Sequence, residues 1–336
     1  MTPAELSRTV LGAVRRAVEE GALGVVVPEK VKVERPRPGG HGDYATGVAL
    51  RLAGPAGRGA HEVAEILRAR MHDAPGIARV EITGPGFLNF TLGPGSGASL
   101  VRAVREQGPR YGHGESLAGV RHSFAPASEP RADVLTHTVV RLLRAQGAAA
   151  DVVPGGEERI TAVPVREDGL FERLGPDAGR WALLRAAAHD RPMTGDGLLV
   201  QSEANPFFRV RYAYSRSRAL LRNAAQLGIS GLDQAGAEVD AGADAEAGAD
   251  APALLAALRD HPAVLASAAR RRAPDRLARH LEVTADALLG FQYTVLPRGD
   301  EKPSAAHRSR LALADAAGTV LAGGLSLLGI SAPEHL

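Results

Sequence analysis

The stretch "RVRYAYSRSRALLRNA", Arg209 to Ala224, decides how this chain is read. It holds five arginines and two tyrosines, with no acid and no lysine. Wound at about 100° per residue, it sorts into faces. Val210, Ala213, Tyr214, Ser217, Leu220, Leu221 and Ala224 fall on one apolar stripe. Arg209, Tyr212 and Arg216 flank one side of it, and Arg211, Arg218 and Arg222 the other. Asn205 is a good N-cap, and Pro206 suits the first helical turn. The segment is an amphipathic helix with two cationic edges. Two readings fit it: a bundle helix with a solvated arginine face, or a surface that pairs with phosphates and stacks on bases.

Composition bounds the choice. A chain of 336 residues is long enough for two or three domains. Aromatics make up only 4%, so the cores must be built from Ala, Leu and Val. The net charge of +2 says little about partners, but its distribution says more. Residues 201–230 carry five Arg against one Glu, and residues 231–250 carry six acids and no base. Only Lys30, Lys32 and Lys302 are lysines among 40 basic residues. This Arg, Ala and Gly excess resembles the codon bias of a GC-rich genome, so arginine richness alone is discounted. The absence of Cys excludes disulfides and thiolate chemistry, and fits a reducing cytoplasm. No run of about 18 apolar residues stands out, so no membrane span is expected. Thr2-Pro3-Ala4-Glu5 reads as a capping box opening a helix rather than a signal peptide.

Outward from the arginine helix, three regions separate. Residues 1–112 read as an α/β unit. A helix covers 1–22 and "KVKVERP" (30–36) alternates like a strand. "DYATGVALRLAGPAG" and "AHEVAEILRARM" read as helices. "ARVEITG" and "GFLNFTL" form a hairpin around Gly84-Pro85-Gly86, and "GASLVRAVREQG" closes the unit as a helix. Residues 113–200 hold one β-α-β unit, "VRHSFAP", "ADVLTHTVVRLLRAQGA" and "ADVVP". Residues 201–336 read as an all-α bundle, interrupted by a low-complexity acidic loop at about 231–252.

Motifs for chemistry are few. "GPGSGA" (93–98) matches a dinucleotide turn but lacks the second strand ending in an acid, so a strand-to-helix loop is the better reading. "HEVAE" (61–65) lacks the second His of a helical zinc site. His41, His61, His113, His122 and His137 show no ligand spacing, so no metal and no cofactor is expected. With no Lys between Lys32 and Lys302, no P-loop is possible across the middle of the chain.

Several stretches together resemble arginyl-tRNA synthetases. "GGHGDYATGVALRLA" and "VEITGPGFLNFTL" are similar to the tRNA-elbow domain of that family. "NPFFRVRYAYSRSRALLRNA" and "RLALADAAGTVLAGGLSLLGISAPEHL" are similar to the start and end of its DALR-type anticodon-binding bundle. "GPDAGRWALLRAA" resembles the segment leading into that bundle. The resemblance implies a multidomain α+β chain: an N-terminal tRNA-elbow-type α/β domain, a small Rossmann remnant and a C-terminal helical bundle. The departure is in the middle. Where the family binds ATP through a His-x-Gly-His turn, this chain has "SFAPASEPRADVLTHTVVRLLRAQG", and most of the catalytic core is missing.

Roles carry over by position. The resemblance implies that Phe87 and Asn89 read a D-loop nucleotide, although Phe87 also fits strand core. It implies that Tyr212 and Arg216 approach the anticodon loop, one helical turn apart. Arg209, Arg211, Arg218 and Arg222 become candidate phosphate contacts, with the solvated-face reading still open. A later aromatic position falls at Gln292 or Tyr293, with the register open. The chain end, Leu336, stands where the family has Met near the anticodon. "ARRRAPDR" (269–276) is a further basic run. The expected function is therefore a non-catalytic tRNA-binding protein rather than an enzyme, with tRNA, tRNA-Arg above all, as its partner. Two alternatives stand beside it: an accessory partner of a full-length synthetase, or a residual aminoacyl-tRNA-dependent enzyme built on His122, His137 and Glu129.

Overall fold

In the computed structural model, residues 1–36, 41–93, 95–166, 168–229 and 247–336 are described. They divide into two compact units, Met1–Leu100 and Val101–Leu336.

The first unit opens on helix α1 (Pro3–Glu19). The capping box forms as its sequence demands: the Glu5 N–H donates to Thr2 Oγ1 (3.3 Å), and the Thr2 N–H donates to the Glu5 carboxylate (2.6 Å). Its stripe of Leu6, Val10, Ala13, Val14 and Ala17 is completely buried. It packs with helices α2 (Val48–Ala56) and α3 (Ala60–Arg68) and with a three-stranded antiparallel sheet. The sheet order is β1–β3–β2, with β1 at Tyr44–Thr46, β2 at Ile77–Thr83 and β3 at Phe87–Leu92.

Two expectations are corrected in this unit. The segment from Asp43, read as helix, begins as strand β1, because Tyr44 and Thr46 both point into the core and pair with Phe90 and Leu88. The helix starts only at Val48. The 30–36 stretch, read as a strand, contributes only a bridge from Glu34 to Ala45. At the hairpin tip Gly86 sits at φ 137°, and a Cβ there would lie 2.7 Å from the Ala60 carbonyl oxygen. Only glycine fits that approach.

In the second unit, after α4 (Ser96–Gln107), strands β4 (Arg121–Phe124) and β5 (Ala149–Val152) pair in parallel around helix α5 (Pro130–Ala145). This is the expected β-α-β, with Phe124, Val139, Val140 and Leu143 as its core. Helix α6 (Leu170–Arg185) kinks where Gly175 takes φ 75° before Pro176. Helices α7 (Pro206–Gln226), α8 (Pro252–Arg271), α9 (Pro274–Phe291) and α10 (Ala305–Leu328) form the bundle. The acidic loop expected at about 231–252 lies outside the described residues up to 246.

The β-α-β part and the bundle are tied together by polar bridges. Arg141 Nε donates to the Leu327 carbonyl (2.8 Å), and Arg185 forms a forked pair with Glu282. The sequence reading passed over one long apolar run: the 24 residues of α10 are long and apolar enough to cross a bilayer by length and composition. The relevant window is 67% buried, so α10 is a core helix. Its glycines allow close packing; a Cβ on Gly318 would lie 2.3 Å from Ser217 Oγ of α7.

Candidate nucleic-acid interface

The start of α7 is fixed by one side chain. Asn205 Oδ1 accepts from the Phe207 N–H (3.0 Å), while its Nδ2 donates to the carbonyls of Leu198 and Val200. Phe207, Val210, Ala213, Tyr214, Ser217, Leu220 and Ala224 are buried along the expected stripe. Burying that stripe sets the rotation of the helix, and so decides which arginines face outward.

Tyr212 emerges on one edge, 39% exposed. Its ring lies on that of Phe208, with centroids 5.5 Å apart and planes within 14°. The pair is an i, i+4 stack on the helix surface. One turn further, Arg216 Nε donates to Gln292 Oε1 at 2.7 Å. Gln292 is itself buried, and its Nε2 donates to the Leu289 carbonyl (3.0 Å). Gln292 is a buried tether for Arg216, and Tyr293 is the exposed ring, at 63%.

The other arginines differ in their partners. Arg209 pairs with Asp286 (2.9 Å) and donates to the Glu203 carbonyl. Arg218 pairs with Asp315 at 2.8 Å. Arg222 lies 3.8 Å from the Glu334 carboxylate and 3.5 Å from His335 Nδ1. Arg211 carries its cation 5.2 Å over the Phe207 ring, and with Leu336 it lines a cleft of about 290 Å³. In the basic run 269–276, Arg272 turns inward to Glu158 and over the Phe124 ring, while Arg270, Arg271 and Arg276 stay exposed.

In the first unit, Phe87 begins β3 beside the hairpin turn and is 41% exposed, so it is not strand core. Asn89 is buried, and its Nδ2 donates to Thr83 Oγ1 at 2.7 Å. The amide is oriented by the neighbouring strand of the same hairpin.

The middle segment keeps its polar groups for itself. At the N-terminus of α5, the Glu129 carboxylate accepts from the Ala132 N–H (2.7 Å) and the Val165 N–H (3.0 Å). Arg131 is completely buried, and its guanidinium donates to the carbonyls of Leu183, Val163, Asp190, Ala186 and Ala187. Burial lowers its pKa, and Glu129, Asp190 and Asp275 oppose that shift. His122 meets Glu158 at 2.8 Å, and Arg272 pairs with the same carboxylate. Burial pushes Glu158 up, but His122 and Arg272 together hold it below the usual carboxylate range. Among the described residues His137 reaches Asp133, at 3.5 Å. The residues His122, His137 and Glu129 are therefore not brought together as one site. Among the described residues, no group of three or more His, Asp and Glu could hold a metal ion. The Arg216–Gln292 bond, the Arg131 clamp and the Glu158 junction had no signal in the sequence, since each joins residues far apart in the chain.

Comparison with known proteins places this geometry. Residues 5–92 match the arginyl tRNA synthetase N terminal domain, and residues 210–336 match the DALR anticodon binding domain. An arginine–tRNA ligase of Pseudarthrobacter chlorophenolicus is 26% identical along all of both chains. That alignment spans 557 positions against 336 residues here, so more than a third of it faces no residue of this chain. An arginine–tRNA ligase of Frankia alni is 39% identical over 203 residues, covering 59% of this chain and 35% of the relative. Among solved structures, the arginyl-tRNA synthetase of Thermus thermophilus superposes over the whole of both chains with TM-score 0.70 at 13% identity. That of Plasmodium falciparum does so over 99% of both, with TM-score 0.69 at 8% identity.

The match over residues 210–336 gives the helical bundle an anticodon-binding architecture of the aminoacyl-tRNA synthetase kind. Within that class the chain is a shortened relative of the arginyl-tRNA synthetases. The expectation that it is not an enzyme is corrected here. The relatives aligned along its whole length are named arginine–tRNA ligases, which are enzymes, and a shortened middle does not demonstrate lost activity.

Proposed function

We propose that this chain binds tRNA, in the cytoplasm, with tRNA-Arg as the preferred species. The anticodon loop would meet Tyr212, Arg216 and Tyr293, with Leu336 and the cleft beside Arg211 at the margin. The elbow would meet Phe87 and Asn89. One observation carries the reading. Arg216 is held by the neutral amide of Gln292, so its charge stays available to phosphate beside two exposed tyrosine rings. Arg209, Arg218 and Arg222 face carboxylates and would give up part of that pairing to reach a phosphate. A guanidinium fork supplies the phosphate contact, and each ring supplies a stacking platform for an unpaired base. The domain division proposed with it is 1–112 for the elbow, 113–200 for the α/β middle and 201–336 for the anticodon bundle.

The test is retention of total tRNA on the purified protein at low and moderate salt, with sequencing of what stays bound. Enrichment of tRNA-Arg, lost as salt rises, supports the proposal. No retention at low salt overturns it. The acid-paired arginines favour a second reading, a protein partner such as a full-length synthetase; co-purification with a synthetase without tRNA would establish that instead. Aminoacylation, named in the relatives, is measured separately by charging tRNA-Arg with arginine and ATP.

A further inference from the structure

The first unit carries a basic groove that none of the roles above uses. It runs between α1 and the turn that follows α3, and has a volume of about 600 Å³. Arg8, Thr9 and Arg16 line one wall, and Arg70, His72 and Asp73 the other. Arg8, Gly12 and Arg16 are spaced by four residues, so they share one stripe of α1. Gly12, between the two arginines, leaves the wall open; a Cβ there would meet only the Arg16 guanidinium, at 3.8 Å.

The charges in the groove are not equally engaged. Arg70 is paired with Glu20 and also donates to the Ile66 carbonyl. His72 lies 2.7 Å from Asp73. Arg16 donates to the Arg70 carbonyl at 2.6 Å, which leaves its charge without an acid. Arg8 is exposed and makes no hydrogen bond or ion pair among the described residues. Two of the three arginines, Arg8 and Arg16, thus have no acid partner among the described residues, and they lie about 12 Å apart along the helix at 1.5 Å per residue. A carboxylate pocket for one small acid would bring its cations together. Two forks this far apart suit a ligand that repeats its negative charge along a strand.

Position favours RNA over other polyanions. α3 starts at the hairpin tip, where Ala60 meets Gly86, and ends at the turn that forms the groove. Its nine residues span about 13 Å. A strand touching Phe87 at one end of α3 has the groove one short helix away, within the same unit.

We propose that Arg8 and Arg16 form a second, sequence-independent binding site for the phosphodiester backbone of the bound RNA. The proposal rests on the tRNA-binding reading above. It assigns these arginines to affinity and salt dependence, not to the choice of tRNA, because phosphate contacts carry no base information.

The experiment measures binding of unfractionated tRNA to the full chain across a salt series, for the parent, Arg8→Gln and Arg8→Gln/Arg16→Gln. Arg8 holds nothing else in place, so the single variant keeps the fold; thermal melting checks the double. The expected result is binding about tenfold weaker in the double variant at low salt. Its log affinity should fall less steeply with log salt, by about 0.7–0.9 per lost contact. The isoacceptor profile of the retained tRNA should not change. If the parent binds tRNA and both variants keep its affinity and slope, the groove proposal is overturned while the tRNA reading stands. If the parent retains no tRNA, both fail together. If the parent ignores tRNA but binds polyglutamate in an Arg8-dependent way, the groove takes an acidic protein surface, and the RNA proposal is overturned.

Discussion

Arg216 and Gln292 lie 76 positions apart in the chain and meet at 2.7 Å, Nε to Oε1. The bond joins the middle of α7 to the turn that ends α9, and it fixes the direction of one cation on the proposed anticodon edge. It predicts that Gln292 acts through Arg216. Gln292→Ala removes the bond that orients Arg216, so tRNA binding should weaken about fivefold, and the lost bond, net about 1 kcal/mol, should lower the melting temperature by only about 2–4 °C. Gln292→Glu should weaken binding further, because a carboxylate neutralises the cation. Filter binding of tRNA to the three proteins decides it. A Gln292→Glu protein that binds like the parent means Arg216 does not meet phosphate.

Tyr212 tests the stacking role directly. It is partly exposed and its ring stacks on Phe208 at the helix surface, so its loss should leave the fold intact. Tyr212→Ala should cost about 1–3 kcal/mol of RNA affinity, the range for one base stacked on an aromatic ring. Tyr212→Phe keeps the ring and should bind nearly as well as the parent. Equal affinities for the Ala and Phe variants would remove Tyr212 from the interface.

Arg131 is the largest stability prediction. Its buried guanidinium donates to five backbone carbonyls, those of Leu183, Val163, Asp190, Ala186 and Ala187. Arg131→Met fills similar volume but leaves those acceptors unpaired. The expected loss is about 3–5 kcal/mol, as for breaking a buried charged network, and urea unfolding should show it as a lower midpoint. A midpoint within error of the parent would mean the 163–190 segment is held by packing alone.

The protein should lose stability in acid in two separate windows. His261 is completely buried against Tyr111 and His280, and its pKa lies well below 6.5, through burial first and then repulsion from His280 and His113. The unfolded chain therefore binds a proton that the native state refuses. Stability from this group is complete above about pH 6.5 and falls as pH drops below it. Glu158, held low by His122 and Arg272, gives its stability above about pH 4.5 and loses it only below that. Melting curves from pH 7.5 to 5.5 should show the first loss, and His261→Phe should flatten it. A profile that falls equally in the variant would place the acid sensitivity elsewhere.

Helix periodicity and caps were legible because they are local. Thr2, Asn205 and the Val210–Ala224 stripe each specify their element within a few residues, and the structure uses them as written. The N-terminal and anticodon-type domains were legible too, because their motifs are short and keep their order along the chain. Strand β1 was misread because three residues carry too little periodicity; pairing with Leu88 and Phe90 decides it. The helix from 305 to 328, passed over as a membrane-length run, is mostly buried by its neighbours, and burial is a property of the bundle rather than of the segment.

The sequence by itself determined where helices start, which face of α7 is apolar, and that cations crowd its two edges. Only the tertiary structure decided what those cations do. Asp286, Asp315 and Glu334 stand far along the chain from Arg209, Arg218 and Arg222, and Gln292 far from Arg216. A guanidinium paired with a carboxylate and one held by a neutral amide look identical in a linear pattern. They differ in the charge left for a ligand, because that depends on distances set by the folding of the whole unit.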